Sequence, residues 1–350
     1  MPHSSKNEDP LVSINIVNFN GRDMLRECLQ SILKTKYSNY EIIVVDNGSA
    51  DGSCTMVKRE FPQVRLIKNQ VNLGYSKGNN IGIRHSNGEF IVLLNNDTIV
   101  HPEWLSELIH EAKQNSKCFY QPKILFAGTK RINSAGNFIN LFGFGFPRGI
   151  GEADLGQYDK KCEINYAAGA CVLASKRLVK IVGLLDEEDF FTFYEDVNWG
   201  WRASMLGYKS IYVPSAVIYH KWGGSWGATM SSKKFFLIER SRLATLFRNY
   251  SSRTLISMLP AFILVELLVL LYSILNGFVS EKIRAYADFL RSMNLLIKQK
   301  RELQNRRRKS DIFIVKSFSE GFTHLYLGVF NVPINKFLAF ISKIVKRLVR

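Results

Sequence analysis

Two short acidic segments hold the side chains of this sequence that are best suited to chemistry. Leu-Leu-Asn-Asn-Asp at 93–97 follows an apolar run that is typical of a strand. A carboxylate at the end of a buried strand is where an open α/β sheet binds ligands. Tyr-Glu-Asp at 194–196 lies among aromatic residues, where burial can raise a carboxyl pKa toward that of a general base. A metal site and a proton acceptor are what group transfer from a diphosphate needs.

The segment Asn95-Asn96-Asp97 is the candidate metal site. Its hard oxygen ligands suit Mg²⁺ or Mn²⁺, which usually take one or two protein groups and complete their shell with substrate phosphate oxygens. The alternative is that Asp97 only caps the following turn. His220 ends a strand-like run at 210–219 and is a further candidate ligand, although a lone histidine is more often structural.

Three further positions suggest a nucleotide site. Asp46 ends a second strand-like run and could accept from a base N–H or a ribose hydroxyl. Gly74 permits close backbone approach at a helix N-terminus, which favours anions, and Lys77 could reach a phosphate. The sequence has no G-x-x-x-x-G-K-[ST], and no G-x-G-x-x-G follows its first strand, so ATP hydrolysis and NAD chemistry lose support.

The order of apolar runs predicts an α/β fold with a mostly parallel sheet and crossover helices. The predicted strands are 11–17, 41–45, 64–68 and 90–94, and the predicted helices are 21–34, 51–60, 76–86 and 102–115. Residues 126–165 are rich in glycine and aromatic residues without clear periodicity, which predicts a long functional or mobile loop.

Three regions are expected from composition. Residues 1–10 are polar, lack the apolar core of a signal peptide and are expected to be disordered. The α/β domain is expected at 11–230, and a basic and apolar helical region at 231–350. The net charge of +17 is concentrated in the last region, because residues 251–350 hold 17 Lys/Arg against 6 Asp/Glu. The five cysteines form no C-x-x-C pair, which fits a reducing cytoplasm.

Residues 255–279 are apolar over about 25 positions, long enough to span a bilayer. Both flanks are rich in Lys and Arg, whereas a single span should leave one flank poor in them. We therefore expect a re-entrant or interfacial hairpin with both ends cytoplasmic; one ordinary span and a buried helix pair remain alternatives. Residues 336–350 have the pattern of a basic amphipathic helix, either on an anionic membrane surface or packed on the protein. A nucleic-acid partner is not expected, because no base-stacking or reader motif accompanies the charge.

Taken together, the motifs resemble glycosyltransferase family 2, the inverting nucleotide-sugar enzymes of GT-A fold. The nearest likeness is to the rhamnosyltransferase-like branch that builds cell-surface polysaccharides. The resemblance covers about residues 11–227. It is carried, in order, by V-x-N-x-N-G, V-D-N-G-S-x-D-G-S, N-x-G-Y-x-x-G-N-N, L-L-N-N-D-T, G-A-x-V-L and F-x-Y-E-D-V-x-W-x-x-R.

The resemblance implies a role for each matching position. The nucleotide pocket would be lined by Asn18, Asn20 and Asp46. The ribose and diphosphate would lie near Gly74, Lys77, Asn79 and Asn80. The donor sugar would be framed by Gly169 and Ala170. The family's D-x-D metal motif falls on Asn95, Asn96 and Asp97, with Asn96 also a donor contact and His220 helping to hold the metal. The catalytic base would be Asp196, with Glu195.

Some positions depart from the family pattern. Only Asp97 remains as a carboxylate in the D-x-D motif, so a modest metal affinity is expected. Asn198 replaces an acid that the family often has two residues after Glu-Asp. The Q-x-x-R-W motif of processive enzymes is absent, so a chain-elongating synthase is not expected.

The expected activity is transfer of a sugar, with inversion, from a nucleotide-diphospho-sugar to a hydroxyl of a glycan or polyprenyl-linked acceptor. The basic C-terminal region would hold the enzyme on an anionic membrane surface, at the cytoplasmic face of the cell membrane. Two other classes stay open: a non-catalytic membrane-bound glycan-binding or scaffold protein of the same fold, and a nucleotidyltransferase.

Overall fold

The computed structural model describes residues 9–188, 190–222, 229–321, 336, 339–344 and 346. The first half alternates strands and helices. They are β1 (Val12–Asn18), α1 (Arg22–Ile32), β2 (Tyr40–Asp46), α2 (Ser53–Glu60), β3 (Arg65–Lys68), α3 (Gly74–His85), β4 (Phe90–Asn95), β5 (Thr98–Val100), α4 (Trp104–Gln114) and β6 (Cys118–Phe126). The four predicted strands and four predicted helices are all present, with ends shifted by at most two residues.

The second half adds short strands and a run of helices. They are β7 (Ile132–Ser134), β8 (Asn137–Ile139), β9 (Gly145–Pro147), β10 (Cys162–Ile164), β11 (Cys171–Ser175), α5 (Lys176–Val182), α6 (Glu195–Met205) and β12 (Lys209–His220). The helices that follow are α7 (Ser232–Asn249), α8 (Ser252–Leu275), α9 (Val279–Arg291), α10 (Met293–Arg306) and α11 (Asp311–Val315).

One sheet organises the α/β part, in the order β10-β12-β6-β11-β4-β1-β2-β3, with β5 on β12 and β7 on β6. Strands β4, β1, β2 and β3 are mutually parallel, while β11 runs antiparallel to β4. The strand order reverses at β1, between β2 and β4. Ligands bind at such a reversal, outside the carboxyl ends of the strands. The mostly parallel sheet confirms the predicted α/β architecture.

The segment 126–165 differs from the predicted loop. It contains β7 to β10, and its aromatic and aliphatic residues are largely buried, including Ile132, Ile139, Leu141, Phe142 and Phe146. The strands are only three residues long, too short to produce a visible period in the sequence. This segment is a packed part of the core.

The region after residue 230 shares a core with the α/β domain. Trp201 of α6 packs edge-to-face on Tyr250 with ring centroids 4.9 Å apart. Arg248 of α7 donates to Asp186 at 2.8 Å, and Arg242 of α7 donates to the Phe142 carbonyl at 3.1 Å. Helix α7 therefore packs as part of the α/β core, although composition predicts a boundary near residue 230.

Helix α8 corrects the predicted hairpin within 255–279. It is one continuous helix that runs through Pro260. Pro260 is exposed in the third turn, so the helix accommodates the proline without a break. Among the described residues, α8 is the one helix long and apolar enough to cross a membrane, by length and composition.

The predicted C-terminal amphipathic helix is described only in part. Residues 339–344 are helical, with Ile341 buried beside Met258 and Val265 of α8 and with Phe340 exposed. Most of the remaining positions of that pattern, such as Leu338 and Leu348, lie outside the described residues, as do 1–8.

Candidate active site

Polar side chains from three parallel strands meet at the reversal of strand order. Asn18, at the end of β1, donates to Asp46 Oδ2 of β2 at 3.0 Å. Asn96, just after β4, donates to Asn18 Oδ1 at 2.8 Å. Asp46 Oδ1 also accepts from the Ser49 amide at 2.9 Å. The structure thus brings together the three predicted nucleotide-binding residues Asn18, Asp46 and Asn96, and all three are buried.

Asn20 lies at the rim of this cluster. It has a left-handed backbone (φ 49°), and its Oδ1 accepts from the Ala50 amide at 2.9 Å. It therefore joins the turn after β1 to the turn after β2. Both turns follow the carboxyl ends of their strands, where the predicted nucleotide would bind.

The start of α3 approaches the acidic loop. Gly74, the first residue of α3, has φ +81°, and a Cβ there would lie 2.4 Å from the Phe191 carbonyl oxygen. The Tyr75 amide donates to that same oxygen at 2.7 Å. Glycine is thus required by contact with the loop as well as by its backbone angle. Lys77, in the first turn, is exposed.

The two adjacent asparagines of α3 have different surroundings. Asn79 Nδ2 donates to the Tyr75 carbonyl, and no donor among the described residues reaches its buried Oδ1. Asn80 is committed to the protein: it donates to Leu185 O and Glu187 Oε2 and accepts from the Leu185 amide. These bonds position the loop before α6. A direct contact with ribose or diphosphate, as expected from the resemblance, does not follow from this geometry for Asn80.

Asp97 and His220 meet across the sheet. His220 Nε2 lies 3.1 Å from Asp97 Oδ1, and both side chains are about nine-tenths buried. Strand β5 pairs antiparallel with β12 and brings Thr98 opposite His220. The other ring nitrogen, Nδ1, lies 3.4 Å from Asn133 Oδ1. The imidazole thus lies between two acceptor oxygens, and the tautomer decides which of its nitrogens donates.

With the proton on Nδ1, the Nε2 lone pair and the Asp97 carboxylate can ligate one cation together. Ligand atoms about 2.1 Å from an octahedral Mg²⁺ or Mn²⁺ lie roughly 3 Å from one another, which matches the Asp97–His220 separation. Asn95 is half-buried and lies two residues before Asp97 in the chain. The described residues contain no group of three or more His, Cys, Asp or Glu that could hold a metal. The donor set therefore fits a hard cation that takes its other ligands from a substrate.

The acidic pair opens α6 under backbone strain. Phe193 and Tyr194 both have left-handed backbones, with φ of 68° and 69°. This conformation is rare for bulky residues and costs of order 1–3 kcal/mol at each one. Glu195 and Asp196 follow directly as the first residues of α6. Strain of this kind is found where a loop must aim particular side chains.

The two carboxyl groups have different environments. Burial, and the neighbouring Asp196 carboxylate, raise the pKa of Glu195 to about 8. Burial also raises the pKa of Asp196, but the amides of Gly169 and Val197 donate to its carboxylate at 3.0 and 2.8 Å and favour the ionised form. No described donor reaches Glu195 Oε2. The two carboxyl groups therefore titrate as a pair, and the two amide donors favour the charge on Asp196.

Gly169 and Ala170 connect this pair to the metal motif. The Gly169 amide donates to Asp196 Oδ2, and the Ala170 carbonyl accepts from the Asn95 amide at 3.0 Å. A Cβ on Gly169 would lie 3.5 Å from Glu195 Oε1 and 3.7 Å from Asp196 Oδ2. Two residues thus separate the carboxyl pair from the strand end that leads to Asp97.

Sequence reasoning missed two residues that position this site. Tyr75 donates to the Gly169 carbonyl at 2.5 Å, and Asn133 contacts His220. Burial, with Glu195 and Asp196 nearby, raises the pKa of Tyr75 well above its ordinary value, so its hydroxyl remains a donor. Tyr75 belongs to the N-x-G-Y segment already noted, but its partner lies 94 residues away along the chain. Asn133 lies in the segment predicted to be a loop.

The fold is similar to that of a solved glycosyltransferase. The structure is similar to that of GalNAc-T7 with UDP, GalNAc and Mn²⁺, with a TM-score of 0.59 and 14% identity, over 73% of this chain and 51% of that one. At this identity the similarity shows the fold.

Residues 13–181 match the model of glycosyl transferase family 2. An uncharacterized protein y4gI of Sinorhizobium fredii is 30% identical over 229 residues, which are 62% of this chain and 25% of the relative. The O-antigen biosynthesis protein RfbC of Myxococcus xanthus is 28% identical over 223 residues, 60% of this chain and 17% of the relative. The chain thus spans a quarter or less of the length of these two curated relatives.

Proposed function

We propose that this chain is an inverting glycosyltransferase that moves a sugar from a nucleotide-diphospho-sugar to a hydroxyl of a glycan or lipid-linked acceptor, as in the rhamnosyltransferase-like branch. The observation that carries the proposal is the link through Gly169 and Ala170. It joins a buried carboxyl pair to a strand end that bears a hard-ligand site. A general base next to a site for the leaving diphosphate is suited to a single displacement at the anomeric carbon of the donor sugar.

The donor would lie at the reversal of strand order. Asn18, Asp46 and Asn96 form the polar floor there, and Asn20 forms the rim. The N-terminal end of the α3 dipole and the exposed Lys77 favour the negative charge of a diphosphate. Asn79, whose buried Oδ1 has no described donor, is free to accept from a donor hydroxyl.

Asp97 and His220, with Asn95, would hold a Mg²⁺ or Mn²⁺ ion. When bound, the ion neutralises charge that develops on the departing nucleoside diphosphate. Asn133 orients His220 so that Nε2 faces Asp97. The bound metal in the GalNAc-T7 structure is Mn²⁺, which supports a divalent cation for this fold.

Asp196 would act as the general base. The amides of Gly169 and Val197 favour its ionised form, and the Gly169 amide fixes one oxygen. It removes the proton from the acceptor hydroxyl, whose oxygen then attacks the anomeric carbon as the bond to the diphosphate breaks. A single attack from the face opposite the leaving group inverts the configuration.

The basic, apolar region after residue 230 would place the enzyme at the cytoplasmic face of the cell membrane, beside a polyprenyl-linked acceptor. The apolar helix α8 and the excess of Lys and Arg after residue 250 support this location.

Donor turnover tests the proposal. Purified protein is incubated with UDP-, dTDP- and GDP-linked sugars and Mn²⁺ or Mg²⁺, with a polyprenyl-diphosphate-linked sugar as acceptor, and nucleoside diphosphate release is followed. We expect release from one donor, abolished by EDTA and restored by added metal. Silence across the panel, with donor binding retained, would support a non-catalytic binding protein. Release of inorganic diphosphate from a nucleoside triphosphate would support a nucleotidyltransferase.

A further inference from the structure

Helix α8 presents a long apolar face to its surroundings. It has 24 residues and a mean hydropathy of 2.4 over its most apolar window. Six large side chains, spaced three or four residues apart and each more than half exposed, form one stripe: Ile256, Leu259, Ile263, Leu267, Leu271 and Ile274. Soluble monomers seldom expose a continuous apolar surface of this length. The stripe is therefore an interaction surface.

The opposite face of α8 is attached to the protein along its whole length. Its buried residues are Thr254, Met258, Val265 and Ser273, which run from the first turn to the last. Met258 and Val265 belong to the same apolar cluster as Trp201 of α6. A helix held in this way cannot leave the catalytic domain to cross a bilayer alone.

The middle of α8 is also tied down by charge. The Glu266 carboxylate accepts from Arg242 of α7 at 2.6 Å, from Lys282 of α9 at 2.8 Å and from Tyr286 at 2.6 Å. Arg242 donates in turn to the Phe142 carbonyl. The centre of a spanning helix lies about 15 Å from either edge of the hydrocarbon. A crossing would carry this ion cluster and the core around Phe142 to that depth.

The exposed charges around the stripe are mainly positive. Arg253, Arg284, Arg291 and Lys298 are exposed on α8 to α10. Of the carboxylates on the same helices, Asp288 pairs with Arg240 and Glu266 is enclosed, while Glu281 is half-buried and Glu302 is exposed. A positive rim around an apolar stripe complements anionic lipid headgroups above acyl chains.

We propose that α8 lies in the plane of an anionic leaflet, with the stripe from Ile256 to Ile274 against the acyl chains and both helix ends on the side of the catalytic domain. This deepens the membrane location given under the proposed function. It commits the chain to a one-sided attachment in place of the hairpin or the span.

Vesicle flotation tests the surface. The full chain is floated with phosphatidylcholine vesicles with and without phosphatidylglycerol. We expect binding that requires the anionic lipid and that falls about tenfold or more in Ile263→Ser with Leu267→Ser. The matched control is Leu33→Ser with Leu155→Ser, which removes two exposed leucines elsewhere and should bind as the unaltered chain does. Equal binding of the two double variants would overturn the proposal.

Thiol labelling tests the orientation. Ser252→Cys and Asn276→Cys mark the two ends of α8 and Leu267→Cys marks its stripe, in a background in which the two half-buried cysteines are replaced (Cys54→Ser and Cys162→Ser). In sealed membrane vesicles with the cytoplasmic face outward, an impermeant maleimide should label both ends of α8 and should not label Leu267→Cys. In lipid-free protein, the same reagent should label Leu267→Cys.

Labelling of only one end would show a span, and labelling of Leu267→Cys to the same extent with and without membranes would show that lipid does not cover the stripe. Protection of Leu267→Cys in lipid-free protein, with disulfide-linked pairs on oxidation, would assign the stripe to a second copy of the chain. Neither experiment measures sugar transfer, so a failure here leaves the catalytic proposal untouched and a failure of donor turnover leaves this one standing.

Discussion

The Gly169 amide donates to Asp196 Oδ2 at 3.0 Å and so joins two segments that lie 27 residues apart. The bond selects one oxygen of the carboxylate and stabilises its charge. The Gly169 carbonyl, on the other side of the residue, accepts from Tyr75. The backbone at Gly169 is thus held on one side by Tyr75 and on the other by Asp196.

Removal of the Tyr75 hydroxyl should loosen this arrangement. We expect Tyr75→Phe to lower kcat by about tenfold, with a smaller change in the donor KM, because the lost bond positions the base and not the nucleotide. The control is Tyr40→Phe, which removes another hydroxyl bonded to a backbone carbonyl, that of Ile32, away from the site. Equal kcat in the two variants would contradict the positioning role.

Glu195 should make stability depend on pH. Because burial raises its pKa from 4.5 to about 8, the folded state binds this proton more tightly than the unfolded chain does. The associated stability is complete below the unfolded pKa and is lost as the pH rises from about 4.5 to about 8.

Glu195→Gln keeps a neutral side chain and should therefore unfold less readily than the unaltered chain at about pH 9, by a few kcal/mol at most, with little difference at about pH 4. Urea unfolding at the two pH values measures this. The exposed Glu89→Gln is the control. The same pH trend in Glu195→Gln and in the unaltered chain would show that Glu195 does not hold the proton.

Metal affinity should depend on Asn133 through His220. Asn133→Ala removes the acceptor at Nδ1 and should weaken Mn²⁺ by roughly tenfold to a hundredfold. The Mn²⁺ concentration that gives half-maximal turnover is the measurement. His101→Ala, on an exposed histidine, is the control. An unchanged Mn²⁺ requirement in Asn133→Ala, or one that shifts equally in the control, would remove His220 from the metal site.

The ion cluster on α8 should matter for stability. Glu266→Gln leaves Arg242 and Lys282 with one carboxylate, Glu239, and should cost about 3–5 kcal/mol of unfolding free energy. The exposed pair of Glu103 with Lys36 provides the control, since Glu103→Gln should cost less than about 1 kcal/mol. Similar midpoints in urea for both variants would show that the cluster does not anchor α8.

The sequence predicted the sheet and the site unequally well. The strands that end at Asn18 and Asp46, and the strand that precedes Asp97, are visible because buried parallel strands are continuous apolar runs. The role of Asn80 is not visible, because its partners Leu185 and Glu187 are more than a hundred residues away. Glu266 lies within an apolar run, but its cationic partners come from two other helices, which no local pattern reveals.

The pH dependence that matters for catalysis belongs to the carboxyl pair as a unit. The two groups are adjacent and both are shifted by burial. Which of the two carboxyl groups acts as the base is therefore decided by comparing the activities of Asp196→Asn and Glu195→Gln at one pH.

The central claim is that Asp196 takes the acceptor proton, and Asp196→Asn tests it most directly. Turnover is measured near neutral pH beside Glu195→Gln, with donor binding measured separately by titration calorimetry. We predict that Asp196→Asn lowers kcat by roughly 10²- to 10⁴-fold with donor affinity nearly unchanged, and that Glu195→Gln keeps more activity than Asp196→Asn. Near-normal transfer by Asp196→Asn would contradict the assignment.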